Sequence, residues 1–221
     1  MYPNVRIVFS VPNRSLKECP VRRPPLLVLT SLVALVLTGA IFGFFYAWVC
    51  STMWGLDDAD PRVAIAAMQA MNASVRNAVF FPAFFLTPVA LCVAAGVAHR
   101  YRHRASAALF LAAAGIYTLG GLLLTMAINV PMNETLGAMA VPESREAAAL
   151  IWADYSGRWQ RWNITRTVAS GTSLVLATLA ILALRTSSTD KGLGEAAAHV
   201  SAPHVTAAHR TAAPDGVARV H

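Results

Sequence analysis

The chain has 221 residues, of which 56% are hydrophobic and 13% are charged. Its mean hydropathy of +0.52 exceeds that of ordinary soluble domains, so the composition favours a protein that crosses a membrane several times. The formal net charge is +7, but the basic arms contain almost none of the aromatic residues that nucleic-acid binding requires. A nucleic-acid partner is therefore not expected.

Four apolar stretches predict four membrane-spanning helices. They cover residues 26–49, 79–98, 105–130 and 164–184, and each is close to the roughly 20 residues that a hydrocarbon core requires. Residues 1–24 read as a basic arm, and residues 186–221 read as a disordered tail. The predicted fold is all-α: an integral membrane four-helix bundle over residues 25–185, with helical outer loops.

Basic residues predict the orientation of the bundle. Arg100, Arg102 and Arg104 lie between the second and third spans, and Arg185 and Lys191 follow the fourth. The positive-inside rule assigns these positions and both termini to the cytoplasm. The two long loops, residues 50–78 and 131–163, are then expected on the outer side.

The loops carry helix signals of their own. Asp60 before Pro61 predicts a helix start, and no breaker follows before residue 77. A helix over residues 61–98 is therefore expected, protruding from the membrane or bent at one of its two prolines. In the second loop, an alanine-rich helix is expected to end at residues 156–157, a Ser-Gly pair.

Small residues recur at four-residue intervals in the first span, at Gly39, Gly43 and Ala47. This spacing lets two helix backbones approach closely. Two interpretations remain open: the stripe forms a seam inside the bundle, or it forms a homo-oligomer interface.

Polar residues cluster at the outer ends of three predicted spans. The clusters are Asn72, Arg76 and Asn77; Thr125, Asn129 and Asn133; and Trp159, Asn163 and Arg166. Because polar groups that face lipid are costly, these side chains are expected to turn towards each other. They predict a pocket that is open to the outer leaflet.

An aromatic stripe leads into the predicted fourth span. Trp152, Tyr155, Trp159 and Trp162 lead at helical spacing to the cation Arg166, a pattern suited to a flat, hydrophobic aromatic small molecule or a lipid. The alternative is an interfacial aromatic belt with a snorkelling arginine. No His, Asp or Glu lies in the four spans, so no metal site is expected.

Three motifs resemble a known family. They are MQAMNASVRN at 68–77, NVPMN at 129–133 and RWNITRT at 161–167. Together they look like the anthrone oxygenase-like family of small four-helix integral membrane proteins. The similarity covers roughly residues 30–185. Most bacterial members of that family are uncharacterised, and fungal members oxidise anthrones to anthraquinones.

The resemblance implies an oxygenase of anthrone-like polycyclic aromatics that needs no cofactor. Arg166, with Arg76, would stabilise an enolate, while Asn129, Asn133 and Asn163 would donate hydrogen bonds to its oxygens. Binding of the rings would fall to the residues Trp159, Trp162, Asn72, Asn77 and Tyr155. No carboxylate is expected in range as a general base, unless Asp154 or Tyr155 folds over the pocket.

A second function remains open. The chain is alternatively a non-catalytic membrane protein that binds a lipid, a quinone or a partner span. In either case the expected location is a bacterial cytoplasmic (inner) membrane, which the chain crosses several times.

Overall fold

The computed structural model describes residues 24–200, and it describes side chains for residues 24–184. This part of the chain is helical and contains no strand. The α-helices are α1 (Pro25–Ala47), α2 (Met53–Asp58), α3 (Pro61–Ser74), α4 (Phe80–Arg100), α5 (Arg104–Tyr117), α6 (Val130–Gly137) and α7 (Arg145–Val200). Short π-helical segments at Trp48–Thr52, Thr118–Leu123 and Thr125–Asn129 join some of them.

Four helical stretches are long and apolar enough to cross a membrane: Pro25–Asp58, Phe80–Arg100, Arg104–Gly137 and Arg145–Leu184. The prediction of an all-α bundle with four spans is therefore confirmed. The predicted basic arm lies outside the described residues except for its last position. The backbone of α7 continues past the predicted end of the fourth span to Val200, and the rest of the predicted tail is outside the described range.

Side-chain hydrogen bonds join neighbouring helices of the bundle. The hydroxyl of Tyr117 in α5 donates to the carbonyl oxygen of Phe84 in α4 at 2.8 Å. Ser173 in α7 donates to the carbonyl oxygen of Ala113 in α5 at 2.9 Å. Helix α1 packs along α4. These contacts satisfy polar groups that have no water to bind within a membrane.

The bundle has two different cores. The terminal half, which contains residues 25–34, 91–114 and 177–184, is packed mainly with alanine and leucine. The loop half, which contains α2, α3, α6 and the first part of α7, is packed with large side chains. Its buried members are Trp48, Met53, Ala64, Ile65, Met68, Leu136, Ala148, Trp152, Tyr155 and Trp159. A smaller cluster of Ile41, Phe45, Phe84 and Tyr117 lies between the two.

The third span leaves α-helical geometry as it enters the loop half. The backbone N–H of Val130 donates to the carbonyl oxygen of Thr125, five residues earlier. Pro131 follows directly and has no N–H to donate. Wider turns of this kind often mark functional sites. They supply Thr125 and Asn129 from the buried face of this span.

The first loop contains a helix break that the sequence analysis missed. Helix α3 ends at Ser74 and α4 begins at Phe80, so the predicted continuous helix over residues 61–98 is wrong. The cause is Asn77, whose Oδ1 accepts hydrogen bonds from the backbone N–H groups of Val79 and Phe80. A carboxamide that binds local backbone competes with the helix in this way.

Of the two other predictions for the loops, one is confirmed and one is wrong. The predicted start of α3 is confirmed, because Asp60 caps the helix by accepting from the backbone N–H of Arg62 at 3.0 Å. The predicted break at residues 156–157 is wrong, because α7 runs through it. The hydroxyl of Ser156 donates to Asp57 Oδ1 at 2.6 Å, so this contact with α2 holds the side chain away from its own backbone.

The small-residue stripe of the first span does not form a seam inside the bundle. Gly43 and Ala47 are exposed, so that interpretation is wrong for both. A Cβ added at Gly39 would meet Leu174 only at 3.9 Å, an ordinary contact. A tighter glycine position lies elsewhere: a Cβ at Gly120 would lie 2.6 Å from the Cβ of Ala169. The homo-oligomer interpretation of the stripe stays a prediction.

Candidate functional site

A cavity of about 260 Å³ lies in the loop half of the bundle. All four spans and the end of α3 contribute to its wall, which is mainly aromatic. The lining residues are Phe44, Phe45, Trp48, Met71, Asn72, Val75, Arg76, Phe80, Phe81, Phe84, Phe85, Thr125, Met126, Val130, Asn133, Glu134, Trp159 and Arg166.

Arg166 lies at the buried end of this cavity. Its side chain is 4% exposed, and none of the described carboxylates forms an ion pair with it. The guanidinium carbon lies 4.5 Å from the ring centroid of Phe45 and 4.9 Å from that of Trp159. The two rings hold the cation by cation–π contacts, and its terminal nitrogens make no hydrogen bond with described residues.

Asn163 orients the guanidinium. Its Oδ1 accepts a hydrogen bond from Arg166 Nε at 2.8 Å, and its Nδ2 donates to the carbonyl oxygen of Phe45 at 3.2 Å. The carboxamide thereby ties α7 to α1 and leaves the outer edge of the guanidinium unused. Asn163 is buried and does not line the cavity, so the structure places it behind Arg166.

Asn133 is the hydrogen-bond acceptor for two buried aromatic side chains. Its Oδ1 accepts from the Tyr155 hydroxyl and from Trp159 Nε1, each at 2.8 Å. The amide nitrogen of Asn133 makes no hydrogen bond within the described part of the chain, and the residue lines the cavity. It can therefore donate to a ligand. Tyr155 supports the wall through this bond but does not line the cavity itself.

Two further asparagines carry unsatisfied amides. Asn129 is 0% exposed, and both polar atoms of its side chain lack a partner among the described residues. Asn72 lines the cavity, and its amide nitrogen lacks a hydrogen-bond partner among the described residues. Buried amides are nearly always bonded, so the free amide of Asn72 offers a hydrogen bond at the cavity wall, whereas Asn129 does not line the cavity.

An ion pair forms the exposed rim of the cavity. Arg76 Nη2 lies 3.2 Å from Glu134 Oε1, and the two side chains are 53% and 58% exposed. Both residues line the cavity. Glu134 corrects the expectation that no carboxylate is in range. Its signal was in the sequence, four residues after Val130 on the same helical face, but the predicted span ended at residue 130.

Some predicted site residues are not brought to the cavity. Trp162 is 38% exposed, Asn77 accepts from the backbone N–H groups of Val79 and Phe80, and neither Trp162 nor Asn77 lines the cavity. Asp154 pairs with Arg158 at 3.8 Å and, with Tyr155, lines a neighbouring groove. Neither Asp154 nor Tyr155 therefore folds over the cavity as a base.

Asp57 holds the aromatic stripe of α7 in place, and the sequence analysis did not single it out. Its Oδ1 accepts hydrogen bonds from Trp152 Nε1 at 2.9 Å and from Ser156 Oγ at 2.6 Å, and its Oδ2 accepts from Gln160 at 2.8 Å. The stripe is buried against α2 at Trp152. The belt interpretation is therefore wrong for its buried members, Trp152, Tyr155 and Trp159.

The cavity wall reaches the apolar surface of the bundle on one side. Phe81 and Phe85 of α4 and Met126 of the third span all line the cavity, and all three are exposed. Within residues 24–184, no group of three or more His, Cys, Asp or Glu side chains could hold a metal ion.

Fold and site together define a class: an all-helical membrane protein with four spans and an aromatic cavity that ends at an unpaired cation. Residues 71–176, which supply most of the cavity, match the family described as anthrone oxygenase. The resemblance seen in the sequence is thus confirmed over this segment. The match begins later than the resemblance did and leaves out the first span. No curated protein and no solved structure matches the chain.

Proposed function

We propose that the protein binds a flat polycyclic aromatic ketone of the anthrone class and oxidises it with dioxygen, without a cofactor. The observation that carries the proposal is the guanidinium of Arg166 at the buried end of an aromatic cavity. An arginine in the centre of a membrane costs roughly 2.5–3.5 kcal/mol on insertion scales. A protein that keeps this cation without an acidic partner has a use for its charge.

The ligand would supply the missing negative charge. Loss of a proton from an anthrone gives an enolate whose charge is spread over the rings and the carbonyl oxygen. A cation in a water-poor cavity stabilises such an oxyanion far better than water does. Asn133 would add a hydrogen bond from its free amide. Arg76 is bound to Glu134 at the rim, so in this proposal the charge stabilisation rests on Arg166.

The shape of the cavity supports a compact flat ligand. Its volume of about 260 Å³ lies just below the roughly 300–1,000 Å³ of common ligand pockets. Phenylalanine and tryptophan rings form most of the wall, and rings of this kind stack on aromatic ligands or meet them edge to face. A ring system of about three fused rings fits this description better than a long lipid chain does.

The chemistry needs few protein groups. The enolate transfers electrons to dioxygen, and the ring methylene becomes a carbonyl group. One oxygen atom of dioxygen enters the new carbonyl, and the other leaves as water with the two methylene hydrogens. The protein would bind the ring system, favour the anion and admit oxygen.

The proposal also covers location. The positive-inside pattern supports cytoplasmic termini and an outward-facing cavity in a bacterial inner membrane. A cysteine placed at Gly137 in a protein without its natural cysteines should react with a thiol label that does not cross the membrane. A cysteine placed at His103 should not react. The reverse labelling pattern would overturn the proposed orientation.

The rate at which the purified protein oxidises an anthrone tests the proposed function. The purified full chain in lipid nanodiscs is incubated with emodin anthrone under oxygen, and anthraquinone formation is compared with the spontaneous rate. Arg166→Met should lower the protein-dependent rate by at least about 100-fold, the usual size of a lost oxyanion contact. Arg161→Met, which removes an exposed arginine of the same helix, is the matched control and should keep the rate.

Two outcomes oppose the proposal. If wild type and the no-protein sample give equal rates across several anthrones, the protein is not an oxygenase of this class. If the same inactive protein binds the anthraquinone tightly through Arg166, the alternative of a non-catalytic aromatic-binding protein replaces it.

A further inference from the structure

Glu134 is the one carboxylate that lines the cavity among the described residues. It lies one helical turn after Val130, which also lines the cavity, so this face of α6 forms part of the wall. The carboxylate is held at the rim by Arg76 at 3.2 Å. Ion pairs between exposed side chains are weak, so the pair can open when a ligand arrives.

The other oxygen groups near the cavity are already used. Both oxygens of Asp57 accept hydrogen bonds from side chains of α7. Asp154 pairs with Arg158 and lines a separate groove. The hydroxyl of Tyr155 donates to Asn133. Glu134 is left as the group that can accept a proton from a bound molecule.

We propose that Glu134 is a catalytic base: its carboxylate accepts the proton that the bound aromatic ketone loses from its ring methylene. This inference rests on the proposed function. The C–H bond breaks, the proton bonds to a carboxylate oxygen of Glu134, and the electron pair moves into the rings and onto the ketone oxygen near Arg166. No oxidant takes part in this proton transfer, because dioxygen reacts only afterwards, with the enolate that the transfer produces.

The positions of Arg166 and Glu134 suit their two roles, which are to stabilise the enolate oxygen and to accept the proton. Arg166 is 4% exposed and lies at the buried end of the cavity, whereas the side chain of Glu134 is 58% exposed at the rim. In an anthrone, the ketone oxygen and the acidic methylene lie on opposite sides of the central ring. A ligand with its oxygen at Arg166 therefore turns its methylene away from the buried end. The exposed carboxylate can then pass its proton to water.

Deuterium exchange separates this step from oxidation. The purified full chain in nanodiscs is kept without oxygen in deuterated buffer with an anthrone, and loss of the methylene proton signal is followed by NMR. Wild type should speed the exchange above the no-protein rate. Glu134→Gln should remove this acceleration by about 100-fold or more, since general bases contribute about 10²–10⁴-fold. Glu134→Asp should retain part of it.

Two further variants show whether the carboxylate or the ion pair matters. Arg76→Gln breaks the same ion pair but keeps the carboxylate, so it should lose far less exchange activity than Glu134→Gln. Asp154→Asn removes an exposed acid outside the cavity and should match wild type. Binding of the corresponding anthraquinone, measured by fluorescence quenching, should stay within about twofold for Glu134→Gln, as expected for a base that contributes to proton transfer rather than to binding.

The outcomes distinguish the two proposals. If wild type neither binds the anthraquinone nor speeds exchange, the proposed function fails. If wild type speeds exchange and Glu134→Gln does so equally, the proposed function stands and Glu134 is not the base. Equal losses in Glu134→Gln and Arg76→Gln would assign the effect to the ion pair, which also overturns this inference.

Discussion

The two halves of the bundle are packed with different types of side chain. In the terminal half, alanines such as Ala94, Ala98, Ala107 and Ala180 are buried, so the helices approach closely and little polar surface needs a partner. In the loop half, tryptophans, tyrosine and methionines form the core, and asparagine, aspartate and arginine side chains lie among them. Small residues give close packing, whereas large and polar residues give a cavity with functional groups in it.

The difference indicates that the loop half contains groups that lower the stability of the ligand-free protein and serve its function. A well-packed apolar core needs no partner for its surface, but a buried cation without an acid destabilises the protein that contains it. Such groups gather where a ligand can satisfy them. Four experiments test this comparison, and the one with the smallest expected effect comes last.

The first replaces the cation of the loop half with an apolar side chain of similar length. Arg166→Met should raise the stability of the ligand-free protein by up to about 3 kcal/mol, because an unpaired charge leaves the membrane interior. Thermal unfolding in detergent measures the change, with Arg161→Met as the exposed control. A less stable Arg166→Met protein would mean that the contacts with Phe45, Trp159 and Asn163 outweigh the cost of burial.

The second compares two asparagines on one helical face. Asn133→Leu should cost about 2 kcal/mol or more, because the buried donors of Tyr155 and Trp159 lose their shared acceptor at about 1–3 kcal/mol each. Asn129→Leu should be neutral or stabilising, because the side chain of Asn129 has no partner among the described residues. Denaturant titration of both variants gives the free energies of unfolding.

Equal losses in the two asparagine variants would show that Asn129 is bonded, for example to water. A cycle that combines Asn133→Leu with Tyr155→Phe sharpens the result. Tyr155→Phe removes the hydroxyl donor that Asn133→Leu leaves without an acceptor. The double variant should therefore be less destabilised than the sum of the single variants predicts.

The third tests close packing where the third and fourth spans approach. Gly120→Ala would place a Cβ 2.6 Å from the Cβ of Ala169, so the helices must move apart at a cost of about 1–3 kcal/mol. Gly115→Ala is the matched control in α5, where an added Cβ meets nothing within 4 Å; it should be neutral or gain up to about 1 kcal/mol. Unfolding midpoints that do not differ between the two would contradict the observed helix approach.

The fourth and smallest effect concerns the cap of α3 in the first loop. The side-chain and backbone hydrogen bonds from Arg62 lower the pKa of Asp60 from 3.8 to about 2. Because the folded pKa is the lower one, the contribution to stability is present above pH 3.8 and disappears as the pH falls to about 2. The difference in melting temperature between wild type and Asp60→Asn should therefore shrink over that interval. A constant difference would show that the charge of Asp60 does not contribute.

The sequence by itself determined the four spans and the helical class, because length and hydropathy act locally and a membrane admits few alternatives. It also determined the start of α3 at Asp60, since a cap and its helix are neighbours in the chain. The polar clusters at the outer ends of the spans and the family motifs both contain Arg166, Asn129 and Asn133. Local signals of this kind survive folding unchanged.

Only the tertiary structure decided which polar groups meet. Trp162 is exposed, and Glu134 reaches the cavity because α6 extends the third span past residue 130. The run of α7 through residues 156–157 likewise depends on Asp57, some hundred residues earlier in the chain. These outcomes rest on contacts between distant segments, whose energies exceed the preferences of single residues. Among the partners of Arg166, Asn163 and Trp159 precede it on the same helix, whereas Phe45 of α1 reaches it only through packing of the bundle.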